Sequence, residues 1–267
     1  MNSFSEVVII HKDGDKIQSV SVDLVGEEPL SIRIDGKPYS VVMRTPGDEI
    51  AHAAGFCLTE GIADVPEDIT AIACCDGLDS NVVTVTLTEK QRRKIAGYMD
   101  RRSFISQTSC GICGKELVQD ILTAITPIID DTRFTINSAV SSLEDFSRHQ
   151  PLRLKTRATH AALIIDTNTD VLSSAEDVGR HNAVDKAIGK LFLNHALSSA
   201  RGLVLSSRIS YELVQKAARA EIPIILALSR PTSLAVNLAS RLNMTVACLA
   251  PKTGLYIFCG EHRIIKL

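Results

Sequence analysis

GLVLSSRISYELVQKAARAEIPIILALSRPTSLAVNLASRLNMTVACLA (residues 202–250) sets the fold class. GLVLSS (202–207), PIILAL (223–228) and MTVACLA (244–250) are short apolar runs without alternation. Between them, ISYELVQKAARA and PTSLAVNLASRL have the length and periodicity of amphipathic helices. Strands apolar on both sides belong to a sheet covered on both faces, which is an α/β layer. The pattern extends in both directions. HAALIID (160–166) reads as a preceding strand, and VDKAIGKLF puts Val184, Ala187, Ile188 and Leu191 on one helical face. GLYIFC and RIIKL close the chain as β runs.

The first ninety residues differ. VVII (7–10), KIQSVSVDL (16–24), LSIRI (30–34), YSVVM (39–43) and NVVTVTL (81–87) are β-branched and partly alternating. Asp13-Gly14 and Asp35-Gly36 supply hairpin turns between them. One helix interrupts the strands, with Thr45 as the expected cap, Pro46 in the first turn, and Ile50, Ala53, Ala54, Cys57 and Leu58 as its apolar stripe. Gly61 ends it. The change of character falls near residues 130–140.

The 267 residues carry 29 Lys+Arg against 31 Asp+Glu, which excludes a uniformly basic protein. Trp is absent and aromatics are only 4%, which weakens any base-stacking platform, so no nucleic-acid partner is expected. No apolar run reaches the ~18 residues of a membrane span, and no signal peptide is read at the N-terminus, so a cytoplasmic protein is expected. Seven cysteines are too sparse and odd in number for a disulfide framework.

Two of those cysteines stand out, in Thr108-Ser109-Cys110-Gly111-Ile112-Cys113-Gly114-Lys115-Glu116. A Gly-rich turn presents both thiols, and a helix with Leu117, Val118, Ile121 and Leu122 inward is expected after it. Helix-start N–H groups and Lys115 favour thiolate over thiol. Structural zinc needs four ligands and this pair offers two. The deaminase signature fails as well, because no His has Glu two positions later and Ser109 stands where Pro belongs. No metal is expected. Redox chemistry and sulfur relay remain, and the pair alone does not separate them.

Ser174-Ala-Glu-Asp-Val-Gly-Arg-His-Asn-Ala-Val-Asp-Lys186 is polar at a strand-to-helix junction, where ligands bind α/β sheets. A helix start capped by Asp177 explains much of it equally well. Ser206-Ser207-Arg208 and Ser229-Arg-Pro-Thr232-Ser233 occupy the same kind of junction. Arg180, His181, Ser206, Arg208, Thr232 and Ser233 are therefore expected to line one sheet edge as an anion or nucleotide cleft. The basic cluster at 89–102 reads as a solvated helix face. Arg148, Arg153, Lys155 and Arg157 form an acid-free run that suits the border of a phosphate-rich ligand.

With these residues in view the chain resembles the FdhD/NarQ family, the formate dehydrogenase accessory sulfurtransferases. The likeness runs along nearly the whole chain, through Glu28-Pro29-Leu30, Thr45-Pro46-Gly47-Asp48, Ala54-Gly55-Phe56, Thr59-Glu60-Gly61-Ile62 and Ser109–Gly114. It continues at Thr159-His160-Ala161-Ala162, Glu176–Lys186, Glu212–Lys216 and Pro231–Ala235. The resemblance implies a cytidine-deaminase-like α/β domain over 136–267, without the zinc, behind a smaller strand-rich domain over 1–135. It implies a sulfurtransferase of which the members are homodimers. A cysteine desulfurase gives sulfur to Cys110, with Cys113 assisting, and the cargo is the bis(molybdopterin guanine dinucleotide) molybdenum cofactor of formate dehydrogenase. Leu249, Ala250, Pro251, Lys252, Thr253 and Gly254 correspond to the family's cofactor-contacting loop, and GDP is the fragment ligand to expect. Ser207 departs from the family, where Gly is usual. A thiol–disulfide oxidoreductase and a cofactor-binding chaperone without sulfur chemistry are the alternatives.

Overall fold

A computed structural model of the chain describes residues 3–74, 81–102 and 125–266. It is a mixed α/β structure. The runs read as strands 160–166, 202–207, 223–228, 244–250 and 254–259 all lie in one six-stranded sheet: β8 (His160–Ile165), β9 (Val171–Asp177), β10 (Gly202–Leu205), β11 (Ile224–Ala227), β12 (Thr245–Leu249) and β13 (Leu255–Cys259), in the order β13-β12-β11-β10-β8-β9. β10, β11 and β12 are parallel, while β8, β9 and β13 are added antiparallel.

Both faces of this sheet are covered, as unbroken apolar strands require. Along β8, Ala162 and Ile164 enter one apolar cluster, while Ala161, Leu163 and Ile165 enter another. The first is filled by helices α5 (Arg180–Leu193), α6 (Tyr211–Arg219) and α7 (Ser233–Arg241). The second is closed by β7 (Phe134–Thr135) and α3 (Ile136–Glu144), with Phe134, Leu143 and Phe146 at its centre.

Ahead of these lie a ribbon of β1 (Phe4–Asp13) and β2 (Lys16–Val25), and a four-stranded sheet of β3 (Glu28–Ile34), β4 (Lys37–Arg44), β5 (Ile69–Cys74) and β6 (Val82–Leu87), ordered β4-β3-β6-β5. Asp35 and Gly36 make the β3–β4 turn with φ of 49° and 78°, the primed geometry that matches strand twist. Helix α1 (Glu49–Thr59) connects the two sheets. Its Ala53 and Cys57 share one core with Ile32 and Val85 of the small sheet, Val184 and Ile188 of α5, and Leu203 of β10. That core therefore runs through residues on either side of position 135. α1 and α5 meet backbone to backbone. A Cβ on Gly55 would stand 1.9 Å from the Asp185 carbonyl oxygen, and one on Gly189 would stand 1.8 Å from that of Ala51.

Three sequence expectations are corrected. α1 starts at Glu49, not near Pro46, because Thr45 is bonded elsewhere (below) and Asp48 takes the N-cap position with φ 59°. Asp177 ends β9, and the next helix begins at Arg180 with Gly179 at its N-cap. β5 and β9 were not read as strands: ITAIAC is short, and VLSSAED, at a sheet edge, carries polar residues on both faces, Ser173 and Asp177 on one and Ser174 and Glu176 on the other.

Candidate functional site

The run Glu176–Lys186 divides between two tasks. Asp177 is fully buried and accepts hydrogen bonds from the backbone N–H of Thr45 at 3.0 Å, from that of Gly179 at 2.8 Å and from Asn182 Nδ2 at 2.9 Å. Lys186 Nζ pairs with it at 2.8 Å and donates to the Thr45 carbonyl at 2.7 Å. The Val178 N–H donates to Thr45 Oγ1 at 3.1 Å, so the Thr45 hydroxyl ties a loop to the sheet rather than capping α1. One turn further along α5, Asp185 accepts from Lys216 Nζ at 2.9 Å and from Thr59 Oγ1 at 2.8 Å. Burial lowers the Lys216 pKa, but the Asp185 and Glu60 charges outweigh it and hold the ammonium protonated. These residues form a buried polar seam between α1, α5 and α6.

Arg180 and His181 lie instead at the rim of the six-stranded sheet. The turns after β10, β11 and β12 open on the same edge, since those strands are parallel, and the N-termini of α5, α6 and α7 arrive there. Arg208 and Ser233 are exposed, while Arg180, His181, Ser206 and Thr232 are half-buried. Two hydroxyls serve the fold. Ser206 Oγ accepts from the Ala161 N–H at 2.9 Å, extending the β8–β10 ladder by one rung. Thr232 Oγ1 accepts from the Ala235 N–H at 3.2 Å and caps α7. At Ser207 the hydroxyl donates to the Arg208 carbonyl at 3.0 Å. Leu249–Gly254 form the β12–β13 turn, closed by an Ala250 N–H to Gly254 carbonyl bond of 2.9 Å. β9, which leads to Arg180, and β12, which leads to this turn, are four strand spacings apart, roughly 19 Å. The edge thus gathers every cleft residue, but along a line and not around one point.

His181 Nε2 stands 3.9 Å from Glu212 Oε2 and has no hydrogen-bond partner among the described residues. Burial, then the Lys216 and Arg180 charges, lower its pKa to about 4, so the ring is neutral at pH 7. Tyr211, the residue before Glu212, has a buried Oη that also lacks a partner among the described residues. Glu212 is itself held low: burial raises it, but polar contacts from Ser210 and from its own backbone N–H, with the Arg180 charge, prevail. His160 completes this end, its pKa lowered by burial and by Arg180. Sequence reasoning passed over His160 as a site residue because it looked only at strand ends. β8 runs antiparallel to β10, so its first residue, not its last, reaches this edge. Glu212 and Tyr211 were missed because they follow a turn read only through Ser206–Arg208.

The basic runs are largely occupied. Arg92 makes a two-pronged bond to Asp35, Arg93 pairs with Glu89, and Lys94 and Arg219 converge on Asp64, so this face of α2 (Glu89–Arg102) is a solvated, paired surface. Arg148 pairs with Asp145 at 3.3 Å. Arg153 donates to the Thr159 carbonyl at 2.8 Å, and its own N–H goes to Glu176.

Cys110 and Cys113, with the helix expected after them, lie outside the described residues. Among the described cysteines, burial raises the thiol pKa of Cys57, Cys248 and Cys259, which keeps them protonated and poor nucleophiles. No group of three or more metal-ligating side chains stands together among the described residues. No helix among them is long and apolar enough to cross a membrane.

Residues 25–265 match the model of the FdhD/NarQ family. A sulfur carrier protein FdhD from Streptomyces avermitilis is 36% identical over 249 residues, covering 90% of this chain and 88% of its own length. One from Bordetella bronchiseptica is 34% identical over 247 residues, covering 91% and 87%. The crystal structure of a formate dehydrogenase accessory protein from Desulfotalea psychrophila superimposes with a TM-score of 0.79 at 23% identity, over 99% of this chain and 100% of that one, and so shares its fold.

Proposed function

The chain belongs to the FdhD/NarQ family, and on that premise we propose that it is a sulfur carrier that serves a formate dehydrogenase. The observation that carries the reading is the match to proteins named as sulfur carriers at above 30% identity over about nine-tenths of the chain, in a sequence that holds Cys110-Gly-Ile-Cys113. The donor is a cysteine desulfurase in the cytoplasm. The Cys110 thiolate attacks the outer sulfur of the donor's persulfide, forming Cys110–S–S⁻ and releasing the donor's cysteine as thiolate. The Cys113 thiolate then attacks the Cys110 sulfur, so that the outer sulfur leaves as sulfide for the acceptor and a Cys110–Cys113 disulfide remains. A cellular dithiol reduces that disulfide.

The acceptor is the bis(molybdopterin guanine dinucleotide) cofactor, carried as cargo before it enters the dehydrogenase. The sheet edge supports this part of the reading. Three helix N-termini with Arg180 and Arg208 suit phosphates, and a site drawn out along roughly 19 Å suits an extended dinucleotide better than a compact ligand. Two copies of the chain assemble. The test is formate dehydrogenase activity in cells in which variants replace the native gene. Cys110→Ala should abolish it and Cys113→Ala should reduce it less. Full activity with Cys110→Ala overturns the reading.

A further inference from the structure

β1 and β2 stand off the body as an arm. Each has ten residues, about 33 Å of strand, and among the described residues they pair only with each other. The arm is held at its root: the Gly26 N–H donates to the Ser3 carbonyl at 2.8 Å, and Lys155 of α4 (Pro151–Thr156) lies 4.5 Å from the centre of the Phe4 ring. Beyond the root nearly every residue is exposed or half-buried.

The register sorts the side chains. Val7 opposes Val22, Ile9 opposes Val20, and Leu24 follows next along, so five aliphatic residues stand together on one face, whose charges, Asp13 and Lys16, lie only at the tip. The other face also carries aliphatics, Val8, Ile10 and Ile17, but interleaves them with the charges of Glu6, Asp23 and Lys12. An isolated two-stranded ribbon is marginal in water, and soluble chains rarely leave such a face with two open edges uncovered.

We propose that this aliphatic face docks on a second copy of the chain, each arm lying across the other's body about a two-fold axis. The inference names the contact for the two-copy assembly proposed above and rests on it. Area supports it. One ribbon face offers roughly 300 Å², so two arms and the two surfaces under them bury about 1,200 Å², at the lower end of the range of stable interfaces. A receiving surface of matching chemistry is present. Val41 and Met43 on β4 are 65% and 50% exposed, and Met43 opposes Pro29, four residues past the end of β2. Arm root and receiving surface are therefore neighbours in one chain, the arrangement by which a two-fold closes with two equal contacts.

Sedimentation equilibrium on the full chain at micromolar concentration should give a dimer. Ile9→Glu with Val20→Glu, at the centre of the aliphatic face, should weaken it roughly thirtyfold or more, while Ile10→Glu on the opposite face should not. In the unaltered chain, amide exchange across residues 4–25 should slow as concentration rises, a readout that needs no variant. A monomeric full chain overturns both the assembly and the arm contact. A dimer that survives the double substitution, or arm exchange that is independent of concentration, overturns the arm contact alone.

Discussion

Along α5, residues within a turn of one another serve two regions with opposite properties. Asn182, Asp185 and Lys186 turn into the seam beside α1, where they are almost fully buried and hydrogen-bonded. Arg180 and His181 face the sheet edge, where His181 Nε2 has no hydrogen-bond partner among the described residues. The residue types are alike, and helical geometry decides which group becomes scaffold and which stands at the sheet edge. Much of the polarity in Glu176–Lys186 is therefore structural. A satisfied buried network fixes the orientation of α5, and that orientation sets where Arg180 and His181 stand.

The comparison breaks most visibly at Lys216. Lys216→Met leaves Asp185 buried without its cation and should cost about 3–5 kcal/mol in urea unfolding. Adding Asp185→Leu should recover a large part of that, because the penalty is the orphaned charge and not the lost pair. Gly55→Ala pushes a methyl into the Asp185 carbonyl and should cost about 1–3 kcal/mol by the same assay. A variant as stable as the parent would mean the helices do not meet as described.

The edge should behave the other way. Arg208→Ala should change unfolding free energy by less than about 0.5 kcal/mol, since the side chain is exposed. It should nevertheless weaken GDP at least roughly tenfold in calorimetric titration of the Cys110→Ala/Cys113→Ala chain, as loss of a charge-assisted bond predicts. ADP should bind more weakly than GDP throughout. Equal GDP affinity with and without Arg208 would remove the edge as the nucleotide site.

A further effect is one of pH. His181 titrates near 4 in the folded chain and near 6.5 when unfolded, so between these values the unfolded chain holds more protons. Stability should be level above about pH 6.5 and fall as pH drops toward 4, with His160 acting in the same direction. His181→Gln should shallow that fall. An unchanged slope would place the His181 ring in water.

The parts of this design that could be read in advance were those carried by local pattern. The unbroken apolar runs of β8, β10, β11 and β12 announced a doubly covered sheet, and the strand-end turns announced its edge. What could not be read depended on partners far along the chain. Thr45 has the form of a helix cap, yet its three bonds go to Asp177, Val178 and Lys186, more than 130 residues away. His160 escaped notice as a site residue because one antiparallel strand reverses which end meets the edge. Gly55 and Gly189 gave no sign that they face each other, because a close approach of two helices leaves no mark in either helix alone.

Sulfur on Cys110 is the claim on which the functional reading turns. Incubation of the protein with a cysteine desulfurase and cysteine, followed by mass analysis of the peptide that contains Cys110 and Cys113, tests it without a dehydrogenase or a cofactor. The expected result is a gain of one sulfur atom on Cys110, removed by dithiothreitol and absent from Cys110→Ala. A peptide that gains no sulfur while the desulfurase turns over, or a gain that persists in Cys110→Ala, would contradict it.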